Sequence, residues 1–197
     1  MTAQGQAVAD MALASQLAEY GNRTNDPLAV LTAARIIQSI PVQEATREKT
    51  ADGAAAANSE AKDSVVPDAA GLFAQAKEMA GDDMELVAMI DAAAKTQGTR
   101  GDITGPNNHY DEVLPGKTDV YHVTFRGGEF AEVAVLGDGD NDLDLYVYDE
   151  YGNLIEYDED YTDQCYVSWV PRWTGEYEIR IKNRGTRVYS AYRLLTN

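Results

Sequence analysis

Apolar and polar residues alternate along the C-terminal half of the chain. A period of two places every second side chain on the same face of a β-strand, so each strand is expected to bury one face. Glycine-containing turns such as Gly127-Gly128 separate the runs. The alternating apolar positions are Tyr121, Val123 and Phe125; Val133 and Val135; Leu143, Leu145 and Val147; Cys165, Val167 and Trp169; Tyr177, Ile179 and Ile181; and Tyr192 and Leu194. This pattern predicts an antiparallel, jelly-roll-like β-sandwich over residues 108–197, with a closed barrel as the alternative.

The N-terminal half has a helical period and predicts about four short helices in two hairpins, at 1–42 and 67–100. In the first helix the expected apolar face is Leu13, Leu17 and Tyr20, and Gly21 is expected to end the helix. Asp26 and Pro27 are expected to begin the second helix, whose apolar positions are Val30, Ala33, Ile37 and Ile40. The third helix is expected to bury Leu72, Ala76 and Met79 and to end at Gly81. Asp82 or Asp83 is expected to begin the fourth helix, with Leu86, Val87 and Ile90 as its apolar positions.

Composition agrees with this division. Residues 1–100 contain 25 alanines and one tyrosine, whereas residues 101–197 contain three alanines and eleven tyrosines. Alanine favours helices and tyrosine favours strands, so the fold class is predicted to be α+β. Residues 43–66 are polar, include an Ala54 to Ala57 run and lack an amphipathic period, which predicts a mobile linker between the two hairpins.

Charge and cysteine content restrict the possible partners. The formal net charge is -17 and the pI is about 4.3, so nucleic acid would be repelled, and cations or basic surfaces are favoured. With the single cysteine Cys165, an intramolecular disulfide cannot form. The chain contains no apolar run long enough to cross a bilayer, so membrane insertion is not expected. Its start lacks a basic region followed by an apolar core, so we expect that, if the protein is exported, its signal peptide has already been removed.

Acidic residues are concentrated between Asp138 and Asp163, where eleven acids occur with no lysine or arginine. Carboxylates held together repel one another unless a cation binds, and calcium accepts six to eight oxygen ligands with flexible geometry. We therefore expect a calcium site, with the candidate ligands Asp138, Asp140, Asp142, Asp144, Asp158, Asp160 and Asp163. The alternative is that these residues form turns on a solvated acidic edge.

Four motifs follow one another in this region. They are the run Asp142-Leu143-Asp144-Leu145-Tyr146-Val147-Tyr148-Asp149, then Gly152-Asn153-Leu154, then Asp158-Glu159-Asp160, and finally Trp173-Thr174-Gly175-Glu176-Tyr177. This order resembles the bacterial pre-peptidase C-terminal domain over roughly residues 110–197. The resemblance implies a jelly-roll-like sandwich in an exported protein, with calcium bound by some members. Helical hairpins precede the domain here, where the family usually has a peptidase.

Catalytic motifs are not evident. Cys165 and His122 could be considered a nucleophile and its base, but Cys165 alternates in phase with Val167 and is expected in the core. Trp169 is expected in the core by the same reasoning, and Trp173, beside a turn, is expected to be exposed. Arg180, Lys182 and Arg184 form a basic stripe that is expected to pair with acids on adjacent strands, with a partner as the alternative.

The sequence predicts a non-catalytic, periplasmic or secreted binding or interaction module stabilised by calcium. Its helical half would dock on another protein or on the sandwich itself. The alternative function is an accessory carbohydrate- or peptide-binding domain acting on extracellular polymers. Neither an enzyme nor a nucleic-acid-binding protein is expected.

Overall fold

The computed structural model describes residues 2–56, 60, 66–96 and 105–197. Within these ranges four helices precede a β-sandwich, as the sequence predicted. The helices are α1 (Ala3–Thr24), α2 (Pro27–Ser39), α3 (Ala69–Ala80) and α4 (Met84–Lys95). The strands are β1 (Gln43–Glu44), β2 (Thr50–Asp52), β3 (Asn107–Val113), β4 (Thr118–Phe125), β5 (Ala131–Gly137), β6 (Leu143–Asp149), β7 (Leu154–Asp158), β8 (Gln164–Trp169), β9 (Gly175–Asn183) and β10 (Ser190–Thr196).

The described strands form two five-stranded sheets. The first sheet has the order β1-β3-β10-β5-β8, and the second has the order β2-β4-β9-β6-β7. Every pairing is antiparallel except the short parallel contact between β1 and β3. Neither sheet closes on itself, so the architecture is a sandwich and not a barrel.

The alternating apolar residues predicted from the sequence form the layer between the two sheets. All sixteen positions named above belong to one buried cluster, which Val113 and Ala131 complete. Leu143, Leu145 and Val147 of β6 face Val133 and the other large side chains of the first sheet, and each is 0% exposed. The period-two signal therefore identified the central core of the sandwich.

A third layer is formed by α1, which packs on the outer face of the first sheet. Val8 and Met11 of α1 are buried in one cluster with Leu136 of β5 and Leu195 of β10. Because of this contact, every residue of β5 is buried, and the strand has no solvent-exposed face. The helical half docks on the sandwich itself, one of the two placements expected.

The predicted apolar face of α1 is wrong. Leu13 and Tyr20 are 55% and 47% exposed, and the buried positions of the helix are Gly5, Val8, Met11, Ala12, Ala14, Ala18 and Gly21. The helix also continues past Gly21 to Thr24, and Asn25 ends it in the left-handed conformation. Gly21 instead permits close helix packing, because a Cβ there would lie 2.6 Å from Val30 Cγ2 of α2.

Helices α2 and α4 begin where the sequence predicted, whereas the start of α3 was not predicted. Asp26, Asp68 and Asp83 act as N-caps, each accepting hydrogen bonds from first-turn amides, and Pro27 occupies the first turn of α2. Leu72 of α3 and Ile90 of α4 are buried in the same cluster as residues of α1 and α2, so the two predicted hairpins share one core. Residues 97–100 of the second predicted hairpin lie outside the described residues.

The assignment of residues 43–66 to a linker is wrong for residues 43–52, which we call the bridging segment. Its first part, β1, pairs with β3 in the first sheet, and its last part, β2, pairs with β4 in the second sheet. The bridging segment thus crosses from one sheet to the other along the side of the sandwich. Backbone hydrogen bonding at a sheet edge does not require an apolar period, so these residues show no pattern that predicts strand pairing. Of the remaining predicted linker, residues 57–59 and 61–65 lie outside the described residues.

Candidate functional site

The two sheets differ in what covers their outer faces. The first sheet is covered by α1, whereas the second sheet exposes a row of polar and aromatic side chains. Tyr146 and Tyr148 alternate along β6 with buried Leu145 and Val147, so both tyrosines point outward. We call this outer surface of the second sheet the tyrosine face; it includes Tyr146, Tyr148, Tyr157, His122, Glu178 and Arg180.

Cross-strand contacts fix the geometry of the tyrosine face. Tyr146 of β6 is the register partner of Tyr157 of β7, and their rings are nearly parallel, at 18°, with centroids 6.5 Å apart. Arg180 of β9 lies over the Tyr148 ring, with Cζ 5.2 Å from the ring centroid. The Arg180 Nε–H also donates to Glu178 Oε1 at 2.5 Å. These contacts hold flat aromatic surfaces and one guanidinium group in a preorganised array.

A second exposed aromatic pair lies at the end of the second sheet where β6 turns into β7. Tyr151 is 73% exposed and Trp173 is 40% exposed, and their rings meet edge to face with centroids 6.0 Å apart. Trp173 also borders a shallow cleft with Ile155 and Val170. The predictions that Trp173 is exposed and Trp169 is part of the core are both confirmed.

The expected pairing of the basic stripe with acids on adjacent strands is confirmed for Arg184 but not for Arg180. Arg180 pairs with Glu178 on its own strand, and Arg184 Nε lies 2.8 Å from Asp144 Oδ2 on the neighbouring strand β6. Asp144 is 1% exposed, so Arg184 supplies the positive charge that this buried carboxylate requires.

The seven predicted metal ligands do not meet at one point. Asp138 and Asp163 lie close together at the end of β5, where Asp163 accepts hydrogen bonds from the Gly139 amide and from Gln164 Nε2. Asp138 accepts the Ala191 amide at 2.9 Å. Burial raises the pKa of Asp163, and the charge of Asp138 raises it further.

A second group contains Asp142, Asp144 and Asp160. Burial raises the pKa of Asp142, and the charges of Asp144 and Asp160 add to this effect, while Arg184 opposes it. Asp142 Oδ1 is buried and receives no hydrogen bond from the described residues. This group therefore combines a buried carboxylate oxygen, unpaired among those residues, with the Arg184 cation.

The two other predicted ligands are Asp158, at the end of β7, and Asp140. Asp158 Oδ2 accepts the Tyr166 amide at 3.0 Å, and Asp140 lies in the loop between β5 and β6, where its amide donates to Asp138 Oδ1 at 3.3 Å. In the described part of the chain, no three His, Cys, Asp or Glu side chains are arranged so that they could hold a metal ion.

Cys165 lies in the core, as expected. It is 1% exposed, its thiol donates to the Leu143 carbonyl at 3.0 Å, and burial raises its pKa far above the ordinary value. His122 lies on the tyrosine face, with Nδ1 3.2 Å from Glu176 Oε1. The thiol is thus held in its protonated form, which is a weak nucleophile.

The tyrosine face was not identified from the sequence, although a signal was present. Tyr146 and Tyr148 occupy the outward positions of a strand whose inward positions are Leu145 and Val147. If the outer face only contacted solvent, small polar residues would suffice at the two tyrosine positions. Their partners Tyr157 and Arg180 are distant along the chain, so only the sheet register brings the four together.

Neither a family model nor a curated protein matches the chain. Among solved structures, it is similar to the pre-peptidase C-terminal domain of collagenase from Bacillus anthracis, at 15% identity over 47% of this chain and 89% of that chain, with a TM-score of 0.38. It is also similar to PliG of Aeromonas hydrophila, a periplasmic lysozyme inhibitor of g-type lysozyme, at 16% identity over 47% and 84% of the two chains, with a TM-score of 0.35.

A third similarity is to the Glycosylation Associate Protein (Gap123) complex of Streptococcus agalactiae, at 11% identity over 44% of this chain and 38% of that chain, with a TM-score of 0.27. A pre-peptidase C-terminal domain is thus among the solved structures to which the chain is similar. No helix within the described ranges is long and apolar enough to span a membrane.

Proposed function

We propose that the chain is a non-catalytic binding module that acts outside the cytoplasm and uses the tyrosine face to contact a partner protein. The observation that supports this proposal is the difference between the two outer faces. The first sheet is covered by α1, while the second presents Tyr146, Tyr148 and Tyr157 to solvent, and Tyr157 is 53% exposed. Tyrosines provide a large contact area with little loss of side-chain entropy on binding, which is why they are enriched at interfaces.

Charge indicates which partner surface is favoured. The chain carries a formal net charge of -17. The tyrosine face includes Glu178 and is bordered by Glu159, which contacts Tyr146, and by Glu176, which contacts His122. A basic protein surface would be attracted by this field and could place cationic side chains over the tyrosine rings. The pairing of Arg180 with Tyr148 already demonstrates that geometry within the chain.

A second candidate function is an accessory module that binds an extracellular polymer. The exposed pair of Tyr151 and Trp173 favours it, because adjacent exposed rings at the rim of a shallow cleft suit stacking against a sugar ring or a peptide. This pair lies at the end of the sheet, so the two candidate surfaces can be altered independently.

Calcium-dependent stabilisation is the finer part of the proposal, and we restrict it to Asp142, Asp144 and Asp160, whose side chains would have to move together to surround the ion because they are not arranged as a metal site in the described structure. It is supported by Asp142 Oδ1, which is buried and receives no hydrogen bond from the described residues, and by the nearby charges of Asp144 and Asp160. These side chains would supply the hard oxygen ligands that calcium prefers. Arg184 competes with a metal ion for Asp144, so the site would be weak in the native chain.

The decisive experiment compares two double variants with a matched control. Immobilised chain is exposed to proteins extracted from the cell envelope, and in parallel the soluble chain is sedimented with insoluble polysaccharide or collagen.

Tyr146→Ser with Tyr157→Ser should abolish protein capture, and capture by the native chain should weaken as salt is raised. Tyr20→Ser, which alters an exposed tyrosine on α1, should leave it unchanged.

The two candidates give different results in this experiment. The accessory module would be favoured if the native chain is retained on the polymer and the variant with Tyr151→Ser and Trp173→Ser is not. Equal protein capture by the tyrosine-face variant and the Tyr20→Ser control would refute the proposed surface. Export is tested separately, by locating the protein in cell fractions: a protein confined to the cytoplasm would contradict it.

A further inference from the structure

A charged cluster lies where the bridging segment crosses from the first sheet to the second. Ala45, Arg47 and Lys49 are partly buried and alternate with exposed neighbours, so their side chains point towards the sandwich. Lys49 is the last of these residues before β2. Its position places it against the facing edges of both sheets, β3 of the first and β4 of the second.

The ammonium group of Lys49 is held by three oxygens. Nζ lies 2.7 Å from Asp111 Oδ1 on β3, 2.8 Å from Asp119 Oδ2 on β4, and 2.7 Å from the Glu112 carbonyl. Each of its three N–H bonds therefore has an acceptor. The nitrogen is fixed between two carboxyl groups that belong to different sheets.

The two carboxyl groups have different environments. The Asp119 side chain is 4% exposed, and burial raises its pKa above the ordinary value. The hydrogen bonds that it accepts from Lys49 and Tyr192 lower the pKa, but burial is the larger effect. The Asp111 side chain is 26% exposed; burial opposes ionisation, but hydrogen bonds from Lys49 and its surroundings hold its pKa below the ordinary value. Asp119 is thus the more readily protonated of the two carboxyl groups, because its pKa is raised above the ordinary value and that of Asp111 is lowered below it.

Two buried tyrosines complete the cluster. The Tyr192 hydroxyl donates to Asp119 Oδ2 at 2.8 Å, the Tyr121 hydroxyl donates to Asp111 Oδ2 at 3.0 Å, and the two hydroxyls also contact each other. Both side chains are 0% exposed. They form a wall that excludes water on the side facing the core, where an amide would be protected from hydrolysis.

We propose that Lys49 and Asp119 condense to an intramolecular isopeptide bond, with Asp111 as the general base. An amine held in contact with two carboxyl groups, of which Asp119 is the more readily protonated, has the reactants and the base of an amide condensation already in place. Holding the reacting groups in contact replaces a bimolecular encounter, which removes the entropic cost of bringing them together from the barrier. The Tyr192 hydroxyl polarises the Asp119 carboxyl and stabilises the oxyanion that develops on it.

The step balances without an external reagent. Asp111 accepts one proton from the Lys49 ammonium, and the neutral amine attacks Cγ of protonated Asp119 to form the C–N bond. The Cγ–O bond to the hydroxyl then breaks, and the hydroxyl leaves as water with a second proton from the same nitrogen. The products are a neutral amide, one water molecule and protonated Asp111, which releases its proton to solvent.

The bond would have a clear structural effect. Lys49 and Asp119 are 70 residues apart, so a covalent link would close a long loop and reduce the conformational freedom of the unfolded chain. It would also fasten the bridging segment to the second sheet, in a chain whose single cysteine, Cys165, cannot provide an intramolecular disulfide.

Mass spectrometry of the purified full chain tests the proposal. The intact mass should be about 18 Da below the value calculated from the sequence, which is the loss of one water. Trypsin should fail to cleave after Lys49, and fragmentation should identify a branched peptide that joins Lys49 to Asp119. Lys49→Arg keeps the charge but cannot form this amide, and should have its full calculated mass. Asp111→Asn removes the base and should also remain linear.

Each other result overturns the proposal. A native chain with its full calculated mass and a normal tryptic peptide ending at Lys49 would show that the cluster is an ion pair only. A water loss that persists in Lys49→Arg would have to arise elsewhere, for example at an Asp-Gly pair such as Asp52-Gly53. A link to Asp111 would disprove the assignment of roles. A folded Asp111→Asn chain, verified by circular dichroism, that still carries the link would exclude Asp111 as the base.

Discussion

Gly5 of α1 lies directly against Glu132 of β5: a Cβ atom at position 5 would be 1.4 Å from Glu132 Oε2. Glu132 is 0% exposed, and its two carboxylate oxygens accept hydrogen bonds from the Tyr166 hydroxyl and from Asn197 Nδ2, each at 3.3 Å. The first turn of α1 therefore rests on a buried carboxyl group of the first sheet, and this contact fixes where the helix docks.

Gly5→Ala should destabilise the docked arrangement of α1. The added methyl group would displace Glu132 from its hydrogen bonds, and overpacking of this kind costs about 1–3 kcal/mol. Thermal melting followed by circular dichroism should show a lower midpoint. Gly71→Ala on α3 is the matched control, because a Cβ there would meet Asp68 Oδ1 at an ordinary 3.4 Å. Equal midpoints for the two variants would contradict this close contact.

Glu132→Gln should reduce the dependence of stability on pH. Burial raises the pKa of Glu132 above its ordinary value of 4.5, partly offset by the hydrogen bond from Tyr166. A raised pKa in the folded state means that this group favours folding most at pH below 4.5, and that this contribution is lost as pH rises through the folded-state pKa. Glutamine stays neutral, so it does not lose this contribution as pH rises. The melting midpoint of the variant should therefore increase relative to that of the native chain as pH is raised above about 4.5. A constant difference between pH 4 and pH 8 would exclude this role.

Arg184→Gln should destabilise the sandwich by about 1–3 kcal/mol, because Asp144 would remain buried without its cation. Arg184 is itself 45% exposed, so solvent screening keeps the expected loss below that of a fully buried pair. Chemical denaturation measures the difference. A loss no greater than that for Arg172→Gln, which removes an exposed arginine from a loop, would show that Asp144 does not depend on this partner.

Calcium should raise the melting midpoint more in Arg184→Gln than in the native chain, because removing the guanidinium frees Asp144 for a metal ion. Free calcium at 100 times its dissociation constant would add about 2.7 kcal/mol of stability. Asp142→Asn and Asp144→Asn should each weaken the response, and magnesium should give a smaller one. Sodium chloride at matched ionic strength is the control, since screening alone stabilises an acidic edge. Equal shifts with both salts in every variant would favour the solvated acidic edge.

Cys165→Ser should lower the stability of the sandwich by about 1–3 kcal/mol, because a hydroxyl is costly in an apolar layer. Cys165 is 1% exposed and packs between the sheets, where its thiol already donates to the Leu143 carbonyl. Urea denaturation of the native chain and the variant gives the difference directly. If serine is tolerated without loss, the hydrogen bond to Leu143 must compensate for burying the hydroxyl.

Local sequence patterns determined much of this fold. The inward positions of the strands, from Tyr121 to Leu194, were identified by period-two alternation, because a strand that buries one face must place apolar residues at every second position. The N-caps Asp26 and Asp83 were identified because a short acidic side chain can satisfy the free amides of a first helical turn. Both signals depend only on residues close together in the chain.

Other features were decided only by the tertiary structure. The buried face of α1 was predicted wrongly, because this helix packs on a sheet and on α2 through small residues, while Leu13 and Tyr20 face solvent. The bridging segment was assigned to a linker, because edge pairing uses backbone groups and leaves no apolar period. The acidic residues were apparent in the sequence, but their separation into two groups was not.

The cluster around Lys49 shows the physical reason for this limit. Its carboxyl partners Asp111 and Asp119 are 62 and 70 residues away, and they belong to different sheets. Propensity and periodicity describe what a segment does with its neighbours in the chain, and these determined the strands, the helix starts and the sandwich core. Contacts between distant polar side chains depend on sheet register and on the crossing of one segment over another, and these exist only once the chain has folded.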